Sequence, residues 1–300
     1  MLLFDKPRGL SSNAALQKVR RLFNVEKAGH TGTLDPMATG LLPVCFGEAT
    51  KFSNELLDAD KSYDASLRFG QTTTTGDAEG EIVSERAVDF SEAELERVLM
   101  QFKGEIEQLP PMHSALKHQG RPLYEYIRKG IVIERSARRV HIRDLVLRRF
   151  AGFEADISVC CSKGTYVRTL AEDIGEALGC GAHLVALRRT AIAHFDLKDA
   201  RDLEALQAMT EEEREARLLP VTCLLPEMPR LDLDAVQVKR LAQGQRLGLD
   251  TGLPDGKLAL YGPNGFIGLG SKEGRRIASE RLLSSVAKQA SSREFTEVVE

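Results

Sequence analysis

The sequence has no long apolar run, no C-x-x-C pair, no phosphate-binding G-x-x-x-x-G-K-[ST], and neither H-E-x-x-H nor G-x-S-x-G. Each gap removes a class of function. A membrane-spanning helix needs about 20 apolar residues in succession, so no membrane span or membrane partner is expected. MLLFDKPRG at the start is apolar for only three residues after Met1 before charges arrive, too short for a signal-peptide core. The five cysteines, at 45, 160, 161, 180 and 223, are odd in number. With their spacing they suggest neither a disulfide framework nor a zinc site, and a reducing, cytoplasmic location is expected. Cys160, Cys161 and Cys180 read as core fillers. The missing motifs withdraw support from nucleotide hydrolysis, zinc chemistry and serine chemistry. A net charge of -3 argues against a uniformly basic nucleic-acid binder.

What the chain does have is size and segregated charge. Three hundred residues suggest two domains, and 42% hydrophobic with 28% charged residues at a mean hydropathy of -0.23 fits an ordinary globular protein. Between 117 and 149, Lys and Arg stand at 117, 121, 128, 129, 135, 138, 139, 143, 148 and 149, against only Glu125, Glu134 and Asp144. This stretch is a candidate polyanion face. Acids gather in TEEEREAR (210–217) and around Asp196 to Glu204, where a solvated helix and its approach account for them.

Periodicity gives an α+β pattern. Residues 11–23 and 91–102 carry apolar positions at helical spacing behind capping residues, with Ser91 and Glu94 forming a capping box. SYDASLRFG (62–70) alternates, and strand-like runs extend over 138–162. VRTLAEDIGEALG returns to helical spacing and stops at Gly179. LLPVTCLLPEMPR (218–230) has three prolines and reads as a linker, with a boundary near 225. Beyond it, AVQVKRLAQGQ predicts a helix and KLALYGPNGFIGLG a β-hairpin around Pro-Asn-Gly. The final ERLLSSVAKQASSREFTEVVE is expected to be poorly ordered.

GHTGTLDPMATG (29–40) sets one carboxylate, Asp35, among turn-forming residues with no His, Glu or Cys placed to form a familiar catalytic pair. Alone, such a loop is an ordinary turn, Tyr63 an ordinary core tyrosine of a strand, and His30 a structural histidine. The combined pattern alters that. GHTGTLDPMATGLLPVCFGEATK (29–51), KSYDASLRFGQTTTTGDAEG (61–80), PPMHSALKHQGRPLYEYIRKG (110–130) and CSKGTYVRTLAEDIGEALG (161–179), in this order and spacing, closely resemble the TruB family of tRNA pseudouridine(55) synthases. DKPRGLSSN (5–13) resembles the family's opening D-K-P-x-G-x-[ST]-S, and ALRRTAIAHF (186–195) its L-R-R-T-x-x-G-x-F segment. The resemblance is dense over roughly the first 195 residues and loose in the tail.

The resemblance implies a pseudouridine synthase fold, a mixed sheet with flanking helices and an RNA-binding cleft, over 1–225, then a small PUA-like β domain over 226–300 with the poorly ordered tail. It makes Asp35 the catalytic aspartate, Tyr63 the aromatic that stacks on the target uracil, and Arg168 the partner of Asp35; an arginine there is expected to fix the carboxylate through a two-pronged hydrogen bond. His30 would lie near the flipped nucleotide, Lys6 and Pro7 near the cleft, Lys51 at the close of the first motif, and Tyr166 and Leu187 along the base pocket. Two residues depart from the family pattern. His113 stands where an aromatic, usually Tyr or Phe, is expected, and Ala193 where Gly is common. Relatives also carry a few residues ahead of the first strand, so a truncated N-terminus is an expectation.

The implied activity is isomerisation of uridine 55 in the tRNA T loop to pseudouridine, with base flipping. An isolated carboxylate suits it. With an intrinsic pKa near ~4 a carboxylate is ionised at neutral pH and needs no adjacent base, only a fixed position. Attack on the ribose, attack on the base and elimination to a glycal all stay open. The implied partner is the T stem-loop, whose phosphates the basic stretch 117–149 would track, with no guide RNA, no cofactor and no metal, and the protein acting as a monomer. CSKGTYVRTLAEDIGEALG resembles the stand-alone bacterial form. Two rival readings use the same loop: a non-catalytic RNA-binding or RNA-folding protein, and an RNA N-glycosylase in which water captures the ribose.

Overall fold

The computed structural model describes residues 1–291. The chain divides into two compact units, residues 1–46 with 56–218, and residues 47–55 with the chain from Leu219 onward.

In the first unit the strands are β1 (Leu2–Lys6), β2 (Ala28–His30), β3 (Thr39–Phe46), β4 (Lys61–Phe69), β5 (Gln71–Thr73), β6 (Ile82–Glu85), β7 (Gly104–Gln108), β8 (Lys117–His118), β9 (Arg121–Pro122), β10 (Arg138–Ala151), β11 (Glu154–Cys161), β12 (Ala182–Ile192) and β13 (Phe195–Asp196). The helices are α1 (Ser12–Leu22), α2 (Glu92–Gln101), α3 (Leu123–Ile127), α4 (Val167–Ala177), α5 (Leu203–Ala208) and α6 (Glu211–Glu215). The main sheet runs β1-β3-β12-β4-β11-β10-β7, with β2 added to β3 and β13 to β12. Only β3 and β12 pair parallel, so the sheet is mixed, as the α+β pattern predicts.

The alternation of KSYDASLRF explains why β4 is central. Tyr63, Ala65, Leu67 and Phe69 are buried, while Ser62, Asp64, Ser66 and Arg68 turn to the other face. Ala155, Ile157, Val159 and Cys161 of β11 continue the apolar face, and α2 and α4 cover it with Leu95, Leu99, Leu170 and Ile174. Each such side chain contributes about 1.5–3 kcal/mol on burial. The Ser91–Glu94 capping box is formed at the start of α2. Gly175 brings α4 against β12 backbone to backbone, since a Cβ there would lie 2.2 Å from Ala182 N. A second core joins β1, β3 and α1 through Phe4, Leu16, Val19, Leu42 and Val44. Residues between β7 and β10 form an arm, in which the β8–β9 hairpin is tied to α3 by Tyr126 Oη donating to His118 O at 3.0 Å.

The second unit holds β14 (Arg230–Asp232), α7 (Ala235–Ala242), β15 (Leu247–Gly248), β16 (Gly256–Gly262), β17 (Gly265–Glu273), β18 (Arg276–Leu282) and α8 (Ser284–Ser291). Its sheet, in the order β14-β16-β17-β18-β15, is the PUA-like β domain expected for the tail, with Leu231, Leu241, Leu258, Leu260 and Ile277 in its core. Residues 47–55 belong to it: Phe52 packs on Phe266 at 5.4 Å between ring centres, and Lys257 bonds Glu55 at 2.8 Å. Sequence places this stretch in the first domain, because pairing across more than two hundred residues leaves no local mark. The tail expected to be poorly ordered is partly built, β18 reaching Leu282 and α8 following; its residues 292–300 lie outside the described residues. Among the described residues no helix is long and apolar enough to cross a membrane. Cys45, Cys161 and Cys180 are buried, but Cys160, alternating with Cys161 on β11, is only half-buried, so it is not the core filler its sequence neighbours suggest.

Candidate active site

Asp35 sits in the loop between β2 and β3, and the loop is held from within the chain. Ala38 N donates to Asp35 O at 3.1 Å, closing a turn, and Gly9 N donates to Pro36 O at 2.8 Å. At the loop's exit Gly40 has φ +103°, and a Cβ there would lie 2.3 Å from Arg189 O, so only glycine lets β3 close on β12. The Asp35 side chain keeps 36% of its surface open toward a cleft, while protein surrounds it on its other sides. This desolvation pushes its pKa above the ordinary carboxylate value, with Asp77 adding to the rise; the Arg168 guanidinium, and Lys6 more weakly, oppose it. Ionisation is therefore less automatic than the bare residue type implies, and Arg168 is the main group that favours it.

Arg168, in the first turn of α4, is 4% exposed. Its nitrogens go to different acceptors. Nη2 lies 3.0 Å from Asp35 Oδ2 and donates to His113 O at 2.6 Å, Nη1 donates to Thr75 O at 2.8 Å, and Nε faces Asp77 Oδ2 at 3.6 Å. Asp77, itself buried, accepts from Thr75 Oγ1 at 2.5 Å and Glu79 N at 3.1 Å. The two-pronged bond to Asp35 expected from sequence is thus a one-nitrogen contact. The rest of the fork is spent fixing the guanidinium in a low-dielectric place where it must be paired.

The cleft has two lobes, of about 680 and about 630 Å³, which share His30, Leu34, Asp35, Ser114 and Arg168. One continues past Asn13, Asp77, His113, Tyr124 and Arg128. The other continues past Lys61, Tyr63, Tyr166, Leu187 and Arg189. Tyr63 lies on β4 with 9% of its surface open. Burial raises its phenol pKa, with hydrogen bonding to Arg189 as a partial counterweight, so the phenol stays neutral. Tyr166 stands just before α4, under the guanidinium of Arg138 at 4.8 Å from its ring centre. His30, at the end of β2, has an enclosed Nδ1 without a partner, and burial together with the charge of Arg189 favours its neutral form.

The structure thus gathers Asp35, His30, Tyr63, Tyr166, Arg168 and Leu187 around one cleft. It does not bring Lys6 to the surface of that cleft. Lys6 is 0% exposed and donates to Pro7 O at 2.9 Å and Leu10 O at 2.7 Å, shaping the turn that holds Pro36; burial lowers its pKa to about 8 against the pull of Asp35. Pro7 contributes its carbonyl to this turn and lines neither lobe. Lys51 falls in the second unit, where Nζ bonds Glu48, Leu282 O and Ser284 Oγ. The basic stretch splits in two. On β10, Arg139, Arg143 and Arg149 are paired with Glu105, Asp60 and Asp156. On the arm, Lys117, Arg121, Arg128 and Lys129 enter no ion pair among the described residues. The arm carries most of the unpaired charge, to which Arg138 and Arg148 of β10 add.

Sequence reading passes over three residues of this site. Arg189 is 1% exposed, donates to Leu41 O at 2.7 Å and Gly32 O at 3.2 Å, and faces Tyr63. Its signal is its place inside ALRRTAIAHF on the inward side of an alternating strand. Lys61, also buried, donates to Leu57 O and Ala59 O at 2.8 and 2.6 Å. Asp77 has no local signal beyond lying in TTTTGDAEG. Among the described residues no group of three or more His, Cys, Asp or Glu could hold a metal ion.

Comparison with known proteins gives the family. Residues 20–167 match the TruB family pseudouridylate synthase (N terminal domain), residues 168–226 the tRNA pseudouridylate synthase B C-terminal domain, and residues 229–283 the pseudouridine synthase II TruB C-terminal domain. The tRNA pseudouridine synthase B of Chromobacterium violaceum is 53% identical over 291 residues, 96% of this chain and 95% of the relative. That of Ralstonia nicotianae is 53% identical over 293 residues, 94% of this chain and 93% of the relative. A chain in the crystal structure of a Cbf5-Nop10-Gar1 complex, 24% identical, superposes with a TM-score of 0.71 over 94% of this chain and 84% of its own, which gives the pseudouridine synthase fold. Family matches along residues 20–283 and relatives 53% identical over nearly the whole chain make this chain a member of the TruB family of pseudouridylate synthases.

Proposed function

We propose that this enzyme isomerises uridine 55 in the T loop of tRNA to pseudouridine, with Asp35 as the catalytic carboxylate and no guide RNA. The observation that carries the reading is Asp35 itself, a carboxylate facing an open cleft, contacted by Arg168 at 3.0 Å, with Tyr63 on the adjoining lobe. The relatives' name, tRNA pseudouridine synthase B, supports the substrate class. Isomerisation breaks the bond from C1′ to N1, forms one from C1′ to C5, moves a proton off C5 and leaves one on N1, so it needs neither oxidant nor net water. The neutral phenol of Tyr63 suits stacking on an uncharged uracil extruded from the loop. Tyr166 and Leu187 would line the same base pocket, His30 would lie beside the flipped nucleotide, and the arm's unpaired cations would take phosphates. The first unit would act as the catalytic domain and the PUA-like unit as an added RNA contact, in a monomer working in the cytoplasm.

The test is position-resolved mapping of pseudouridine in unmodified tRNA incubated with the purified chain, without guide RNA and in the presence of a strong chelator. Conversion at position 55 alone is expected. Release of free uracil would make the protein an N-glycosylase, and binding without conversion would make it an RNA-binding protein.

A further inference from the structure

The contact between Asp35 and Arg168 is made through one guanidinium nitrogen, so its geometry depends on where the two backbones are held. Each backbone carries the same device beside the charged residue. Next to Asp35, the Ser12 hydroxyl accepts from Leu34 N at 2.7 Å and donates to Leu34 O at 2.9 Å, with Ser12 1% exposed. Two residues before Arg168, Gln108 does the same to Tyr166: Oε1 accepts from Tyr166 N at 3.0 Å, Nε2 donates to Tyr166 O at 3.2 Å, and Gln108 is 1% exposed. Tyr166 begins α4 without a side-chain cap of its own.

We propose that Ser12 and Gln108 are positioning residues for the reaction, a pair of buried clamps that set the register of Asp35 against Arg168. A side chain that satisfies both main-chain groups of one remote residue stops that residue from sliding or rotating, as a rung of sheet does, where no strand is available. Ser12 lies 22 residues from Leu34 and Gln108 lies 58 from Tyr166, so neither clamp is a local turn. Gly9 N bonding Pro36 O closes the other side of Asp35. Ser12 borders one lobe of the cleft with its hydroxyl spent on Leu34, and Gln108 lines neither lobe; each acts through the carboxylate or the guanidinium. The inference rests on Asp35 being the catalytic carboxylate.

The experiment compares full-length Ser12→Ala, Ser12→Thr and Gln108→Met with wild type on unmodified tRNA, with Asp35→Asn alongside. A misplacement near 1 Å costs about 100-fold, so kcat is expected to fall at least about tenfold in Ser12→Ala and Gln108→Met. KM and tRNA affinity should stay within about twofold, because ground-state binding is not what the clamps supply. Ser12→Thr, which keeps the hydroxyl, should recover most of the rate. In Ser12→Ala the Leu34 amide should exchange with solvent at least about tenfold faster, while β3 amides hold. Wild-type kcat in both variants overturns the proposal. So does a fall in kcat that follows the folded fraction, unfolding of both variants, or a Ser12→Thr no better than Ser12→Ala. Turnover by Asp35→Asn would instead overturn the reading of Asp35, which an inactive Asp35→Asn beside a fully active Ser12→Ala leaves standing.

Discussion

The two walls of the cleft handle buried charge differently. On one, a single guanidinium, Arg168, is shared between two carboxylates, Asp35 and Asp77. On the other, Lys61 and Arg189 are buried with their protons on backbone carbonyls, Leu57 O and Ala59 O for one, Leu41 O and Gly32 O for the other. Carbonyls satisfy the donors and leave the net positive charge; burial first, and then the charge of Arg189, lowers the pKa of both Lys61 and His30. The difference suits two tasks. A reactive carboxylate must be ionised and aimed, which a paired guanidinium achieves. A stacked, uncharged base needs a neutral surface, and Tyr63 and His30 both remain neutral beside the second pair of cations.

The largest effect should come from the paired wall. Asp35→Asn keeps the shape and removes the charge, so turnover on unmodified tRNA should fall by roughly 10⁴-fold or more, while tRNA affinity changes by less than about tenfold. Single-turnover kinetics and a binding titration check the two halves; substantial turnover would erase the distinction between the walls. On the opposite wall, Arg189→Met strands two buried carbonyls and frees Tyr63, which should cost about 2–4 kcal/mol of stability by denaturant unfolding. A cost near zero would mean the second wall's cations are dispensable to the fold.

A smaller effect is expected where a further acid adjoins the paired wall. Glu172 on α4 is pushed up to about 7 from 4.5, first by burial, then by Asp173, with Arg168 opposing and Asp77 adding to the rise. An acid whose pKa is higher folded than unfolded holds its proton better in the folded state. Its contribution to stability is full below about 4.5 and is lost as pH rises through about 7. Glu172→Gln should therefore stabilise the protein at pH 8 by about 1–2 kcal/mol, after allowance for partial solvent screening, and leave it near wild type at pH 4. Equal melting shifts at both pH values would contradict this. Smallest of all, Ala193 at the end of β12 has φ +50°, a conformation that costs a non-glycine residue roughly 1 kcal/mol. Ala193→Gly should recover about 0.5–1 kcal/mol, offset in part by added freedom of the unfolded chain, readable as a small rise in melting temperature.

Much of this was legible in the sequence. Alternation in KSYDASLRF and the Ser91–Glu94 box located a core strand and a helix because local spacing sets both. The motif resemblance singled out Asp35, Tyr63 and Arg168, which line one cleft, and the departure at Ala193 marked a position whose backbone suits glycine. What stayed hidden depends on distant parts of the chain meeting. Lys6 and Lys51 look like cleft cations, yet one is buried in its own turn and the other serves the second unit. Arg189 and Gln108 become visible only when β12 and β7 bring them against loops far away in sequence. The basic run from 117 to 149 could not show that three arginines of its strand half are already paired with acids from β4's approach, β7 and β11.

On the proposed reading of Asp35, Arg168 serves it chiefly by fixing its position, with its charge as the lesser part. The most direct measurement is kcat/KM against pH for Arg168→Lys and Arg168→Met beside wild type. Lysine keeps the charge but cannot span Asp35, Asp77 and two carbonyls together. Arg168→Lys should therefore show a plateau at least about tenfold below wild type with its acid limb near the wild-type pH. Arg168→Met should lose more and move the acid limb to higher pH, because burial then raises Asp35 without the guanidinium to oppose it. A wild-type plateau in Arg168→Lys would contradict the claim and leave charge alone as the contribution of Arg168.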